Sequence, residues 1–337
     1  MKKIVTLALG AAVGVSASAA GAATLDDVKA RGELHCGVTT GLPGFSAPND
    51  AGTWAGLDVD VCRALSAAIF DDPDKVKYFP LSAKDRFPAL QSGEVDVLPR
   101  NTTWTSSRDT SLGLDFTFVN FYDGQGFMVK KSLNVATAKE LDGASVCTQT
   151  GTTTELNMAD YFRANNMTYE PVAFENNDAV VQAYDSGRCE VLTSDSSQLY
   201  ALRLKLANPD DHVVLPEIIS KEPLGPVVRH GDNQWKDIVT WVGFAMLNAE
   251  ELGVTQANVE EMKGSDNPEI KRLLGVDGNY GEQLGLTNDW VVRVIKVVGN
   301  YGESFERNVG SESPLGIDRG INRLWTDGGL QYGMPVR

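Results

Sequence analysis

The chain has few of the residues from which metal and nucleic-acid sites are built. It holds 3 histidines and 4 cysteines in 337 residues. There is no CxxC pair, and His35, the histidine beside a cysteine, has no second histidine next to it, so a zinc cage has no framework. Positive charge is scarce: 30 basic residues stand against 45 acidic ones, a net charge of −15. That deficit argues against nucleic acid and anionic lipid as partners, and the acidic surplus reads as a device for solubility. Long apolar runs are also missing. Beyond the first two dozen residues no stretch reaches the ~18 uninterrupted apolar residues that a spanning helix needs.

The start of the chain carries what the rest lacks. Lys2 and Lys3 precede an apolar run from Ile4 to Val15, and small residues follow from Ser16 to Ala23, including Ala20-Gly21-Ala22. This pattern predicts a secretory signal peptide over residues 1–23, cut after Ala22 or Ala23. No cysteine lies at the cut, which argues against a lipid-anchored form. The expected mature protein is soluble and periplasmic, with a net charge of −17 once Lys2 and Lys3 are removed. Its length of about 310 residues suits two domains.

In an oxidising compartment an even cysteine count predicts disulfides. Cys36 sits in a predicted strand and Cys62 in the helix after it. Cys147 and Cys189 each sit in a strand that precedes a candidate site loop. The expected pairs are therefore Cys36 with Cys62 and Cys147 with Cys189, each within one half of the molecule.

Strands and helices alternate along the chain. A helix is expected over 25–31, a strand over 33–38, and a Gly/Pro/Asn-rich loop over 39–53. Helix 57–70 follows, with Leu57, Val61, Leu65, Ala68 and Ile69 on one face. Strand 76–79, helix 83–92 ended by Gly93, and strand 95–98 complete this first series. The rhythm restarts with strand 126–129, read as a crossover. Strands over 141–147, 168–174 and 189–193 then alternate with helices over 154–165 and 177–186. The segments Gly93-Glu94-Val95-Asp96-Val97-Leu98 and Gly187-Arg188-Cys189-Glu190-Val191-Leu192 resemble each other. The chain is expected to cross back over 225–229. Helix 235–252 follows, and a tail with helices at 291–298 and 316–324 is expected to pack on the first lobe. This order implies an α/β fold with a mainly parallel sheet, built as two lobes: 24–126 with 228–337, and 127–227.

Two motifs carry chemistry. Arg100-Asn101-Thr102-Thr103-Trp104-Thr105-Ser106-Ser107-Arg108 follows the first lobe's last strand, and Gly151-Thr152-Thr153-Thr154 follows a strand of the second. In open α/β sheets ligands gather at the carboxyl ends of strands. The Arg108 fork matches a planar carboxylate, and the N–H groups after Gly151 favour an anion at a helix start. Asp195, at the end of a third strand, can hold an ammonium. A carboxylate clamp joined to an ammonium clamp describes an amino-acid receptor. Arg100, with Gln149 and Ser194, either meets the ligand side chain or forms an inter-lobe ion pair. Asp58 and Asp60 read as cap and surface residues of their helix, and Trp104 as packing.

These residues give the chain a family likeness. Gly56-Leu57-Asp58-Val59-Asp60-Val61, Pro88-Ala89-Leu90-Gln91-Ser92-Gly93-Glu94-Val95-Asp96-Val97, Thr103-Trp104-Thr105-Ser106-Ser107-Arg108, Asp115-Phe116-Thr117, Leu141-Asp142-Gly143, Gly151-Thr152-Thr153-Thr154 and Ser186-Gly187-Arg188 with Asp195 resemble the polar-amino-acid-binding periplasmic proteins of ABC importers, solute-binding protein family 3, over residues 30–250. The likeness is greatest to the general L-amino-acid binders and the glutamate/glutamine/aspartate/asparagine binders. It implies a two-lobe periplasmic binding protein of type II-like build, with two crossover strands and a helical C-terminal extension. It also implies a monomer without cofactor that delivers an L-amino acid to a permease in the inner membrane.

Carried over residue by residue, the resemblance gives the α-carboxylate to Arg108 and to the N–H and hydroxyl of Thr153, beside Thr154. It gives the α-ammonium to the Asn101 carbonyl, the Thr103 hydroxyl and Asp195. The chain departs from the family where an aromatic often covers the ligand: Leu42 stands there, with Phe45 the nearest ring. It also lacks the acid that many relatives carry near Thr39, which argues against a lysine or arginine site. Acidic and amide side chains are the expected ligands, within a possibly broad range. The alternative class is an enzyme on this fold, a dehydratase or a cell-wall lyase. It would need a general acid or base at the site. His35 and His230 lie outside the motifs, and Asp195, the one acid expected there, already has the ammonium role.

Overall fold

The computed structural model describes residues 23–49 and 51–337; the predicted signal peptide, up to its last residue, lies outside them. Strand Leu34–Val38 pairs in parallel with Val76–Pro80, with Cys36 opposite Tyr78, and helix Leu57–Phe70 makes the connection. That helix buries Leu57, Val61, Leu65 and Ala68 as expected, but also Val59, Cys62, Ala64 and Ala67, so it is covered on most sides and not along one apolar stripe. It begins at Gly56, where φ is 135° and a Cβ would stand 2.1 Å from the Phe45 carbonyl oxygen, so no other residue fits.

The expected strand over 95–98 is not a ladder. Val97 bridges Cys36 in parallel and Leu98 bridges Val227 antiparallel, so the chain changes partner after one residue. Helix 83–92 begins later than expected, at Arg86, and ends at Gly93 with φ 80°.

A five-stranded sheet forms the second half, in the order His212–Val214, Gln125–Lys130, Val191–Asp195, Ser145–Gln149, Glu170–Phe174. The last three run parallel, and the first two join antiparallel. Segment 126–129 is therefore an interior strand of this sheet and not the crossover. The crossing ladder is Phe121–Asp123 with Glu222–Leu224. After it, Val227–Arg229 pairs with Leu114–Phe116.

Cys36 is bonded to Cys62 and Cys147 to Cys189, with Cα separations of 6.2 and 5.7 Å. All four cysteines are consumed in this way. By the chain-entropy account, loops of 26 and 42 residues are worth about 3–4 kcal/mol each.

The C-terminal part packs on the first half through helices Trp290–Val298 and Tyr301–Asn308. Asp60 anchors it. It is buried and Oδ2 accepts from Ser304 Oγ, Arg307 Nη2 and Asn308 Nδ2, each at 2.6 Å, so Asp60 is an internal tie and not a surface residue. The expected helix over 316–324 is absent apart from a single 3-10 turn, Gly320–Asn322. Gly316 and Gly320 take φ of 57° and 47°, which interrupts a right-handed helix. The Asn322 side chain instead pairs with both backbone groups of Tyr122, at 2.7 and 2.9 Å. Among the described residues no helix is long and apolar enough to cross a membrane.

Candidate functional site

After Leu98 the chain turns at Asn101, whose φ is 35°. Asparagine tolerates this region better than most residues. The turn is held from below by Asp58, which sequence reading placed at the helix cap or surface. Asp58 is 1% exposed. Its Oδ2 accepts from the Asn101 N–H at 3.0 Å and its Oδ1 from Asn120 Nδ2 at 3.2 Å. Burial lifts the Asp58 carboxyl to about 7, against the pull of those donors and of Arg100. A buried acid raised in the native state holds a proton that the unfolded chain has already lost, so stability declines as pH rises from about 4 to about 7. Over that span Asp58 costs up to about 4 kcal/mol. Urea midpoints of the protein should therefore fall between pH 5 and pH 8. Asp58→Asn should flatten that slope, and an unchanged slope would remove Asp58 as its source.

Thr105 caps helix Ser106–Ser111, its hydroxyl accepting from the Arg108 N–H at 3.3 Å. The cap sets the direction of Arg108. Its Nη1 donates to the Thr103 carbonyl at 3.0 Å, and the guanidinium lies 5.3 Å from the Phe87 ring centroid. Trp104 stacks on Phe116 at 5.3 Å, as packing.

Across the cleft stands helix Thr153–Ala164. Thr152, at its N-cap, turns its hydroxyl to the Gln149 carbonyl at 2.7 Å and caps nothing. The first-turn N–H groups thus keep their partial positive charge with no Thr152 oxygen on them. The Thr153 hydroxyl reaches Glu222 at 3.0 Å and lies 3.4 Å from the Thr103 hydroxyl, so the two motifs touch. Asn101 Nδ2 also crosses, donating to Gln198 Oε1 at 2.9 Å.

Asp195 begins helix Ser196–Arg203 without capping it through its side chain. It is buried. Burial raises its carboxyl well above the ordinary value; Asp123 and Glu222 add to the rise, while Arg108 and Arg86 oppose it. Two acids that sequence reading missed therefore share this neighbourhood with Asp195. Asp123 is itself pushed up to about 6 by burial, even though it accepts from the Ser197 hydroxyl and from the Gly124 N–H.

The cleft between the halves is lined on one side by Arg86, Arg100, Asn101 and Thr103. The other side is formed by Gln149, Thr152, Thr153, Thr154, Ser194, Asp195 and Gln198. Eight of the nine expected ligand-binding positions are in that lining. Arg108 stands behind Thr103. Leu42 and Phe45 are buried elsewhere, Phe45 against Phe121 at 5.6 Å. Gln149 Nε2 is held by the Glu175 carbonyl at 3.0 Å. Arg100 makes no inter-lobe ion pair among the described residues; its Nε donates to the Leu81 carbonyl at 2.8 Å.

Arg86 and Gln198 were not anticipated. Locally Arg86 looks like any arginine at a helix start. The one clue is its place a few residues past the carboxyl end of strand Val76–Pro80, where α/β ligands collect.

The comparisons with known proteins point to one family. The family described as bacterial extracellular solute-binding proteins, family 3, matches residues 34–257. The general L-amino acid-binding periplasmic protein AapJ of Rhizobium johnstonii is 64% identical, over 99% of each chain. The glutamate/glutamine/aspartate/asparagine-binding protein BztA of Rhodobacter capsulatus is 57% identical, over all of both chains. Among solved structures, an ABC transporter/periplasmic binding protein from Brucella ovis with glutathione bound is 66% identical. It superposes with a TM-score of 0.93, over 94% of this chain and 100% of that one.

Proposed function

The chain belongs to the bacterial extracellular solute-binding proteins, family 3, and on that premise we propose that it is the periplasmic amino-acid receptor of an ABC importer. It is a binding protein and not an enzyme, as are its named relatives. Its ligands are L-amino acids, with glutamate, glutamine, aspartate and asparagine foremost. It works as a monomer, closing residues 127–227 against 24–126 and 228–337 around the ligand, then docking on permease subunits in the inner membrane. Residues 1–23 are the export signal.

One observation carries this reading. Arg108 and Asp195 are both buried, and Arg108 feels the charge of Glu222 first and of Asp195 next, yet the guanidinium bonds a carbonyl and not a carboxylate. Buried charges are stable when paired. A zwitterion supplies the missing partners, its carboxylate to Arg108 and the Thr153 N–H, its ammonium to Asp195, the Thr103 hydroxyl and the Asn101 carbonyl. Ligand contacts from both sides of the cleft favour closure, because closure is driven by differential affinity for the closed state. The γ-glutamyl end of glutathione carries the same free carboxylate and ammonium, so one clamp suits both ligand kinds.

Isothermal titration calorimetry of the mature protein, unfolded and refolded to strip bound ligand, tests this against the twenty L-amino acids and glutathione. Tight binding of Glu, Gln, Asp and Asn with weak binding of Lys and Arg is expected. Binding of none of them would remove the receptor reading and bring the enzyme alternative forward.

A further inference from the structure

The C-terminal part beyond residue 257, where the match to the family ends, grips three consecutive residues at the start of the crossing ladder. The Tyr301 hydroxyl donates to the Asn120 carbonyl at 2.9 Å. The Phe305 ring lies nearly parallel to Phe121, with 5.9 Å between centroids. Asn322 then meets both backbone groups of Tyr122. Its Oδ1 accepts from the N–H at 2.7 Å, and its Nδ2 donates to the carbonyl at 2.9 Å. Tyr122 stands opposite Pro223, which has no N–H to give, so the Asn322 side chain satisfies it as a neighbouring strand would.

The grip is itself braced. Tyr301, Phe305, Asn322 and Gln331 are all buried. Gln331 Nε2 donates to the Tyr301 hydroxyl at 3.1 Å. Arg319 covers the Tyr301 and Phe305 rings at 5.3 Å each, pairs with Glu250, and donates to the Asn322 carbonyl at 3.0 Å. One residue further on, the attachment changes. Asp123 accepts from the Ser197 hydroxyl, and its Oδ2 from the Ser197 N–H at 3.3 Å, at the start of a helix of the second half. On this strand the chain passes from one body to the other across a single peptide bond, Tyr122 to Asp123.

We propose that Tyr301 and Asn322 are positioning residues for ligand binding: they hold Asn120, Phe121 and Tyr122 to the first half, so that the halves close about one fixed axis. This rests on the receptor reading above, in which the halves move. A hinge is a few residues that absorb the backbone change. Without the grip the free protein samples more open arrangements and a smaller fraction is poised to close, and apparent affinity falls with that fraction. The closed complex is held by the ligand from both sides, so its dissociation changes little.

The test uses L-glutamate and L-glutamine as probes on the refolded mature protein and on Asn322→Ala, Tyr301→Phe and Val294→Ala. Val294 is buried in helix Trp290–Val298, which packs on helix Leu57–Phe70, and it is the control for lost stability alone. Asn322→Ala is expected to weaken binding about 2- to 30-fold, the range for residues that act on a site without touching its ligand. The loss should lie in the association rate by stopped-flow fluorescence. The ligand-free radius of gyration by X-ray scattering should grow, and ligand should restore it. Tyr301→Phe keeps the ring and should show the same changes at smaller size. Val294→Ala should lower the melting temperature without either change. Unchanged affinity in Asn322→Ala, a loss confined to the dissociation rate with an unchanged radius, or the same rate change in Val294→Ala would overturn the proposal. If the wild-type protein bound neither probe, the receptor reading itself would fall, and an unchanged ligand-free radius in Asn322→Ala would then overturn the grip on its own.

Discussion

Arg108→Ala is expected to weaken L-amino-acid binding by about a thousandfold while the protein stays folded. Removing one partner from a buried, hydrogen-bonded charge pair costs about 4 kcal/mol, and each 1.4 kcal/mol is tenfold. Most of that loss comes from leaving the ligand carboxylate desolvated with one clamp in place of two. The fold should tolerate the change. Among the described residues the side chain is tied by the Nη1 bond to the Thr103 carbonyl and the contact with Phe87. The helix cap uses the backbone N–H of residue 108 and survives. Calorimetry for binding and a thermal melt for folding make the comparison. Near-normal affinity would transfer the carboxylate clamp to the lining arginines, Arg86 first.

Asp195→Asn separates binding from stability. Binding should fall by about a hundredfold, because a buried ammonium loses its charged acceptor and keeps the neutral ones. Stability should move the other way. The Asp195 carboxyl is raised by burial and by Asp123 and Glu222. Its ionisation therefore opposes folding as pH rises above the ordinary carboxylate range, and asparagine has no such cost. The variant should melt at or above the wild-type temperature at pH 8 and differ less at pH 5. For the wild-type protein, ligand affinity should fall as pH is lowered, since protonation removes the charge that the ammonium needs. Trp104→Ala serves as the control. That ring stacks on Phe116 outside the lining, so its loss should lower stability more than affinity. A variant at 195 that binds normally would release the ammonium from this carboxylate.

The contrast between Arg108 and Arg86 shows what a linear reading can reach. Arg108 lies in a nine-residue motif whose residue types already mark it as the candidate for a carboxylate. Arg86 lies in no motif, and its importance comes from a neighbourhood: the Phe87 ring shared with Arg108, and Arg100 arriving from another loop. Asp58 and Asp60 make the same point. Both alternate with apolar residues at a helix start, where surface placement is the ordinary outcome. Their partners, Asn101, Asn120, Ser304, Arg307 and Asn308, are 43 to 248 residues away, so their burial could not be read locally.

The strand reading failed in a related way. Segment 126–129 was legible as a strand, because Phe127, Met128 and Val129 form an apolar run. Its role was not legible, because a crossover and an interior sheet strand are equally apolar.

The sequence by itself determined the alternation of helices and strands, the even cysteine count that predicts disulfides, and the hydroxyl-rich motifs with Arg108 and Asp195. Each of these depends on periodicity, residue type or neighbours close in the chain. The tertiary structure alone decided which strands cross between the halves, which cysteines pair, that the tail beyond residue 316 is held by side-chain ties in place of a helix, and that Arg86 joins Arg100 in the lining with Arg108 nearby. Those outcomes depend on desolvation and on contacts between distant segments, quantities that exist only once the chain has closed on itself.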